Sequence, residues 1–530
     1  MTMYYINRVI EKAYNDAQYR KPQIYTTESQ KEAIDLLIKS LKGEVHLGAI
    51  QGPPGTGKTS VVELGIRQIV DDIVSSREKI LVIYTAPTNH LVMEALYRFL
   101  YHLFLKGYNI DQVLKLIRVY GSRIKPCDTI KETIINNKPV SYNDFREVMG
   151  TIDPNDTRFV FATEYQRIAP KIKETPDEIR YIVDEASKSP FFRVFLGIAQ
   201  KIIKQPEGYY PKSLVVLGDP KQAITVQEEF KQYRVELLMN YVKRRLKNLG
   251  LEDKYFKFLD TTFRLPGPTE WPISKGFYEG RLRAYEDFRI RYERLITSVI
   301  GGDTFNILRR KLSNIIDLSN NLINTVFDAI ETALSSRIPI IIFNTRPFPA
   351  GKTYEPLRAK IAYLTSIYLS TLFNLAELPL SVGVTAPYSD LAYSTGYGVR
   401  KRLYELGFKR LNVIATTVQA IIGGEADAIV TMFAKEWIPG GFLYGYPMTS
   451  YDIFYETMYF REYQVLNVQL SRHRLLLTVI GDITRLERVA KDLSRTRVYK
   501  ESASSIADTI ETLRKDLCTR GHVLIRRISA

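Results

Sequence analysis

The chain has 530 residues, too many for one ordinary domain, and its 45% hydrophobic and 25% charged content is that of a soluble globular protein. Lys and Arg outnumber Asp and Glu by 74 to 58, and the net charge of +16 suits a polyanionic partner. Cys127 and Cys518 are the only cysteines and stand far apart, which leaves a disulfide scaffold or zinc ribbon unsupported.

The opening residues, MTMYYINRVIEKAYNDAQYRK, lack the apolar core of a signal peptide. No run of about 18 uncharged apolar residues follows, so the expectation is a soluble, intracellular, cytoplasmic protein with no membrane contact. Residues 26–42 predict a helix capped by Thr26 or Thr27, with Ala33, Ile34, Leu37, Ile38 and Leu41 on one face. Gln30, in its first turn, reads either as a surface glutamine or as an amide placed for an adenine edge.

An apolar run, Leu47 to Ile50, leads into Gly52, Pro53, Pro54, Gly55, Thr56, Gly57, Lys58 and Thr59, and a helical pattern follows. Strand, glycine-rich loop and helix in that order form a phosphate-binding loop. Glycines let successive backbone N–H groups approach phosphate oxygens, and the helix turns its positive end toward the same anion. Lys58 supplies a mobile charge for the β- and γ-phosphates, and the Thr59 hydroxyl can ligate Mg²⁺. The pattern implies a nucleoside triphosphate site.

Lys79–Tyr84 predicts the next strand, and Thr85-Ala-Pro-Thr-Asn89 opens a helix. A loop at the carboxyl end of a strand is where open α/β sheets place ligands. From about 98 to 155 the pattern loses its regularity and reads as an insertion. Residues 158–163 predict a strand ending at Thr163, and 181–183 a buried strand that stops at Asp184 and Glu185. One acid there can hold Mg²⁺ through water and its neighbour can orient the attacking water. Ser213–Leu217 predicts a further strand, and Gly218 to Gln222 the turn that follows it. Five strand signals separated by helical stretches describe a doubly wound parallel sheet. Residues 234–247 read as an amphipathic helix with a solvated basic end.

After residue 264 a similar rhythm returns, with strand signals at 338–343, 381–385, 413–416, 428–431 and 476–480. Gly351-Lys352-Thr353 lacks the preceding glycines, so this half carries no second phosphate loop. The expected fold is α/β: two RecA-like doubly wound parallel-sheet domains, 1–263 and 264–530. Inserted subdomains are expected at about 98–155, 281–335 and 433–460.

The ordered motifs resemble those of superfamily 1 helicases, most of all the 5′-to-3′ branch typified by the RNA helicase of nonsense-mediated decay. The resemblance runs from about Thr26 to Asp482. It implies that Gln30 reads adenine and that Gly52 to Thr59 hold the phosphates of ATP. Asp184 holds Mg²⁺, Glu185 activates water and Gln222 senses the γ-phosphate. On the same basis Phe263, Gly423 and Glu425 belong to the nucleotide site, and Arg264 and Arg472 reach the transferring phosphoryl group. The chain departs from the family pattern at Thr262, Leu391, Ile422 and Ser471, and the ribose-binding acid of the family aligns loosely with Arg358.

The resemblance further implies a single strand of DNA or RNA across the tops of both sheets. Thr85, Thr88, Asn89 and Thr163 would hold it on the first domain, and Pro387, Tyr388 and Thr417 on the second. Such groups grip phosphates without reading bases. The implied activity is ATP-driven 5′-to-3′ translocation and unwinding; the alternative is a strand-stimulated ATPase that remodels protein–nucleic acid complexes. A GTP switch is disfavoured because Asn137-Lys138 is followed by Pro139-Val140, not by a guanine-reading aspartate.

Overall fold

The computed structural model describes residues 3–19, 25–127, 132–135, 138–204, 209–222, 236–296, 303–313, 316, 320–348, 353–421, 424–433, 463–495 and 500–528. They form two compact units. One comprises Met1–Pro53 and Gly57–Leu259, the other Pro54–Thr56 and Asp260–Ala530. Both are α/β layers around a parallel sheet, the doubly wound RecA-like class that the strand rhythm implies.

The main strands of the first unit are β1 (Leu47–Gln51), β2 (Ile80–Ala86), β3 (Ile117–Tyr120), β4 (Phe159–Thr163), β5 (Glu178–Val183), β6 (Pro211–Gly218) and β7 (Phe256–Phe258). Their order is β7-β1-β6-β5-β2-β4-β3, and every pair is parallel. Side chains alternate faces along a strand, and here they separate into two cores. Ile50, Val82, Tyr84, Phe161, Ile182 and Leu217 join one cluster, while Ala49, Ile83, Val160, Val183 and Val216 join the other.

Helices α1 (Ile6–Tyr19), α2 (Glu28–Leu41), α3 (Lys58–Ser75) and α4 (Asn89–Leu105) cover the first face, and α5 (Leu238–Asn248) the second. Burial on both faces is why these strands read as continuous apolar runs.

Residues 98–120, expected to begin an insertion, belong to this core. Residues 98–105 complete α4, whose Phe99 lies 4.6 Å from the Phe159 ring and 5.3 Å from that of Phe161. The aromatic richness there is helix-to-sheet packing. Residues 117–120 form β3, which pairs with β4. An edge strand of four residues with one neighbour leaves little pattern to read, and the three residues of β7 leave less.

The second unit holds β8 (Ile340–Asn344), β9 (Val382–Ala386), β10 (Val413–Thr417), β11 (Ala426–Met432), β12 (His473–Gly481) and β13 (Val523–Arg527), in the order β10-β9-β11-β12-β8-β13, all parallel. Among the described strands of this sheet, sequence reading misses β13, which pairs with β8. The described residues within 281–335 are largely helical, as expected, but α7 (Asn320–Ser335) is no polar appendage, since Val326, Ile330 and Ala333 are fully buried in the core. The stretch 433–460 lies outside the described residues except for Phe433.

Candidate functional site

The parallel register brings the carboxyl ends of β1, β6, β5 and β2 into line. Gln51 faces Gly218, Val216 faces Val183, and Val183 faces Thr85. The turns beyond these ends are tied together: Gly52 N–H donates to Gly218 O (3.0 Å), Asp184 N–H to Thr85 O (2.9 Å) and Ala186 N–H to Leu217 O (2.8 Å).

The phosphate-loop lysine emerges at the start of α3. Lys58 Nζ donates to Gly52 O at 2.9 Å and lies 3.8 Å from Glu185 Oε1. Gly57, the N-cap of α3, is left-handed at φ +82°, and a Cβ there would come within 2.6 Å of Gln30 Nε2. Gln30 is thus buried against the loop and not on the surface. Its Oε1 accepts from Thr27 N–H (3.0 Å) in a capping box that starts α2, which settles the cap as Thr27.

Asp184 is buried at 2% exposure. Tyr84 Oη–H donates to its Oδ2 and Glu185 N–H to its Oδ1, both at 2.8 Å. Burial raises the Asp184 pKa, the Glu185 charge adds to the rise, and Lys58 with the two hydrogen bonds opposes it. Glu185 follows in a left-handed conformation, φ +53°. Its Oε2 meets Lys188 Nζ at 2.7 Å. Gln222 Nε2 donates to Asp219 Oδ2 (2.6 Å), and Gln51 Nε2 donates to Asp219 Oδ1 (3.2 Å). Asp219 N–H in turn donates to Ser187 Oγ at 3.1 Å. Within the first unit, then, Gln30, Gln51–Pro53, Gly57, Lys58, Thr59, Asp184, Glu185 and Gln222 occupy one end of the sheet.

Tyr84, Gln51, Asp219 and Lys188 are the members whose roles sequence reading misses. Tyr84 carries no signal, being one apolar-looking residue in a buried strand. Lys188 carries a weak one, a cation three residues after an acid.

Pro54–Thr56 count with the second unit, where Thr262 Oγ1–H donates to Pro54 O (2.7 Å) and Phe263 N–H to Gly55 O (2.9 Å). In that unit Arg264 Nε donates to Glu425 Oε2 at 2.7 Å, and Arg474 approaches the other oxygen of Glu425 at 3.7 Å. Phe263 packs on Tyr285 with ring centres 4.7 Å apart. Arg472 is 2% exposed. Gly423 and Ile422 lie outside the described residues. Arg358 aligns with a ribose-binding acid, yet it is a fully buried structural guanidinium in α8 (Pro356–Leu375). It donates to Phe433 O (3.1 Å) and Arg346 O (2.9 Å) and lies 5.1 Å from the centre of the Phe348 ring.

The residues expected to bind a strand differ in exposure. Thr85 and Thr163 are 2% and 5% exposed, because each closes a central strand whose two faces are covered. Pro387 is buried, and so is Tyr388, whose ring packs 5.4 Å from that of Phe348. Thr88 is exposed but caps α4, its Oγ1 accepting from Leu91 N–H at 3.3 Å. Thr417 Oγ1 accepts from Ala420 N–H at the same distance. Asn89 is partly buried, its Oδ1 packed close to Gly121.

An AAA domain matches residues 26–146. Among solved structures the chain is similar to an arterivirus nonstructural protein 10 (helicase) in complex with DNA. The identity is 12%, with coverage of 87% of this chain and 65% of that one, at a TM-score of 0.34. It is also similar to the DUF1998 helicase MrfA bound to DNA, at 12% identity, 91% and 52% coverage and a TM-score of 0.37. The chain spans less than two thirds of either of those chains. No curated protein matches it.

Proposed function

We propose that this chain is a nucleic-acid-dependent ATPase of the helicase type, which moves 5′ to 3′ on a single strand. The observation that carries the reading is the convergence of Lys58, Asp184, Glu185 and Gln222 at one end of the first sheet. The motif order from Gln30 to Arg474 supports it, and the net charge agrees with a polyanionic track.

The residues fit ATP and Mg²⁺. A buried carboxylate at Asp184, fixed by Tyr84 and a backbone N–H, sits near a mobile ammonium and a loop that a side chain at Gly57 would crowd. Thr59 and Asp184 would hold Mg²⁺, which when bound neutralises charge on the phosphates. Lys58 exchanges Gly52 O for phosphate oxygens. Glu185 takes the proton of the water whose oxygen bonds to the γ-phosphorus as the bridging P–O bond to ADP breaks. Gln222, oriented by Asp219, contacts the γ-phosphate. Arg264 and Arg472 act on the phosphoryl group by resemblance, and Arg264 must exchange Glu425 for it, since carboxylate and phosphate compete for one guanidinium.

Steady-state ATP hydrolysis with and without single-stranded DNA and RNA tests the reading. Strong stimulation by one polymer, abolished in Lys58→Ala, is the expected result; no hydrolysis with either polymer overturns it. Duplexes with 5′ or 3′ tails then test polarity, and unwinding from 3′ tails alone would reverse the direction proposed. Stimulated hydrolysis without strand separation would leave a remodelling ATPase.

A further inference from the structure

The loop from Glu185 to Arg193 has two ends of different character. At its start, both oxygens of the Glu185 carboxylate face ammonium groups: Oε2 meets Lys188 at 2.7 Å and Oε1 meets Lys58 at 3.8 Å. The Glu185 and Lys188 side chains are only 17% and 18% exposed, so this pair is less screened than a surface one. The left-handed backbone at Glu185 fixes the direction of the side chain.

The far end of the loop is anchored beside Thr163. Ser189 Oγ–H donates to Glu164 Oε2, and Arg193 Nη1 donates to Glu164 Oε1 at 2.9 Å. Arg193 also lies 4.8 Å from the centre of the Tyr165 ring. Around that anchor Tyr165, Phe191 and Phe192 are 55%, 37% and 38% exposed. Two adjacent exposed phenylalanines have no hydroxyl to account for their exposure. Phe191 stacks on Tyr241 at 5.0 Å, which holds this surface in place. Exposed aromatic faces suit stacked bases, that is, a single strand of nucleic acid.

We propose that Lys188 is a positioning residue for hydrolysis: its ion pair holds Glu185 away from the attacking water until a strand engages Tyr165, Phe191 and Phe192 and shifts the loop. This rests on the strand-dependent ATPase reading above. A general base needs a free lone pair aimed at the water, and an ammonium at 2.7 Å occupies one. Lys58 leaves Glu185 for phosphate when nucleotide binds, whereas Lys188 belongs to the loop and moves with it.

The test compares wild type, Lys188→Ala and Lys188→Arg by ATP hydrolysis and by hydrogen exchange of the 185–193 segment, each with and without an oligonucleotide. Binding of a fluorescent nucleotide confirms that the variants are folded. Lys188→Ala should raise the strand-free kcat about fivefold or more, leave KM for ATP near wild type and shrink the stimulation ratio. Lys188→Arg, which keeps the ion pair, should stay near wild type. Exchange in the segment should rise on oligonucleotide addition in wild type and be high from the start in Lys188→Ala. A proportional fall of both rates in Lys188→Ala overturns the proposal, and so does exchange in wild type that the oligonucleotide leaves unchanged. Phe191→Ala/Phe192→Ala should raise the oligonucleotide concentration for half-maximal stimulation; no change there assigns the surface to another partner and overturns the strand-driven release. A wild-type chain that hydrolyses no ATP fails the functional reading itself, while the exchange arm still reports on the loop.

Discussion

Gly57 shows how one residue can carry several constraints. Its φ of +82° is strained for any residue with a Cβ, and that atom would crowd the Gln30 amide at 2.6 Å. Left-handed strain costs about 1–2 kcal/mol, so Gly57→Ala should weaken nucleotide binding about tenfold or more with the fold retained, as a titration with fluorescent nucleotide would show. Two buried titratable groups of the second unit make an opposed pair. Burial pushes the Glu270 carboxyl from 4.5 up to about 7, against two backbone hydrogen bonds that lower it. The folded chain therefore keeps a proton that the unfolded chain gives up near 4.5, and stability is lost as pH rises from about 4.5 to about 7. His473 is pushed down from 6.5 to about 3 by burial and by the charges of Arg291 and Arg264, while its Nε2 pairs with Thr269 Oγ1 at 2.7 Å. It acts in the other direction: its neutral form stabilises fully above about 6.5, and that contribution fades as pH falls toward 3. Glu270→Gln should thus raise the melting temperature at pH 8 and lose its advantage near pH 4, with a cost relieved on the order of 3 kcal/mol. A gain that is equal at both pH values would refute the assignment.

Among the elements, α6 (Trp271–Tyr278) and α9 (Lys500–Glu511) approach each other at Gly276, where a Cβ would lie 1.9 Å from Thr509 Oγ1 and 2.5 Å from the Ser505 carbonyl oxygen. Backbone cannot yield as a side-chain tip can, so Gly276→Ala must push the helices apart. Overpacking of this kind costs about 1–3 kcal/mol. Thermal denaturation should show a lower midpoint for Gly276→Ala, with nucleotide affinity at the first unit's loop unchanged. The same scale explains what was legible in the sequence. The ten strands read from apolar runs are all present; nine are buried on both faces, which leaves runs of Val, Ile, Leu and aromatic residues, and the tenth, β10, is a half-exposed edge strand that still opens on Val and Ile. Three of the four edge strands, β3, β7 and β13, escaped, since one neighbour and three to five residues leave little pattern to read. The aromatic stretch from residue 98 misled for a related reason: a helix whose wide face packs on a sheet is rich in Phe, Tyr and Leu, which resembles irregular composition when read residue by residue.

For the molecule as a whole, the charge of +16 predicts that strand binding weakens as salt rises, with log affinity falling linearly in log salt at roughly 0.7 per phosphate neutralised. Fluorescence anisotropy of a labelled oligonucleotide between low and moderate salt measures that slope; a flat line would mean that basic residues do not contact the backbone. The sequence by itself determined the phosphate loop, the strand-end acids and the two-sheet architecture. Each of these is written in contiguous residues, as a strand, a turn of fixed chemistry and a helix start. Tertiary structure alone decided which groups complete the site. Tyr84 reaches Asp184 across 100 residues and Gln51 reaches Asp219 across 168, so no local pattern could announce either bond. It also decided accessibility. Thr85, Thr163, Pro387 and Tyr388 fit a strand-binding motif as letters and are buried in the fold, because whether a strand-end side chain meets solvent depends on the elements packed above it and not on its own neighbours in the chain.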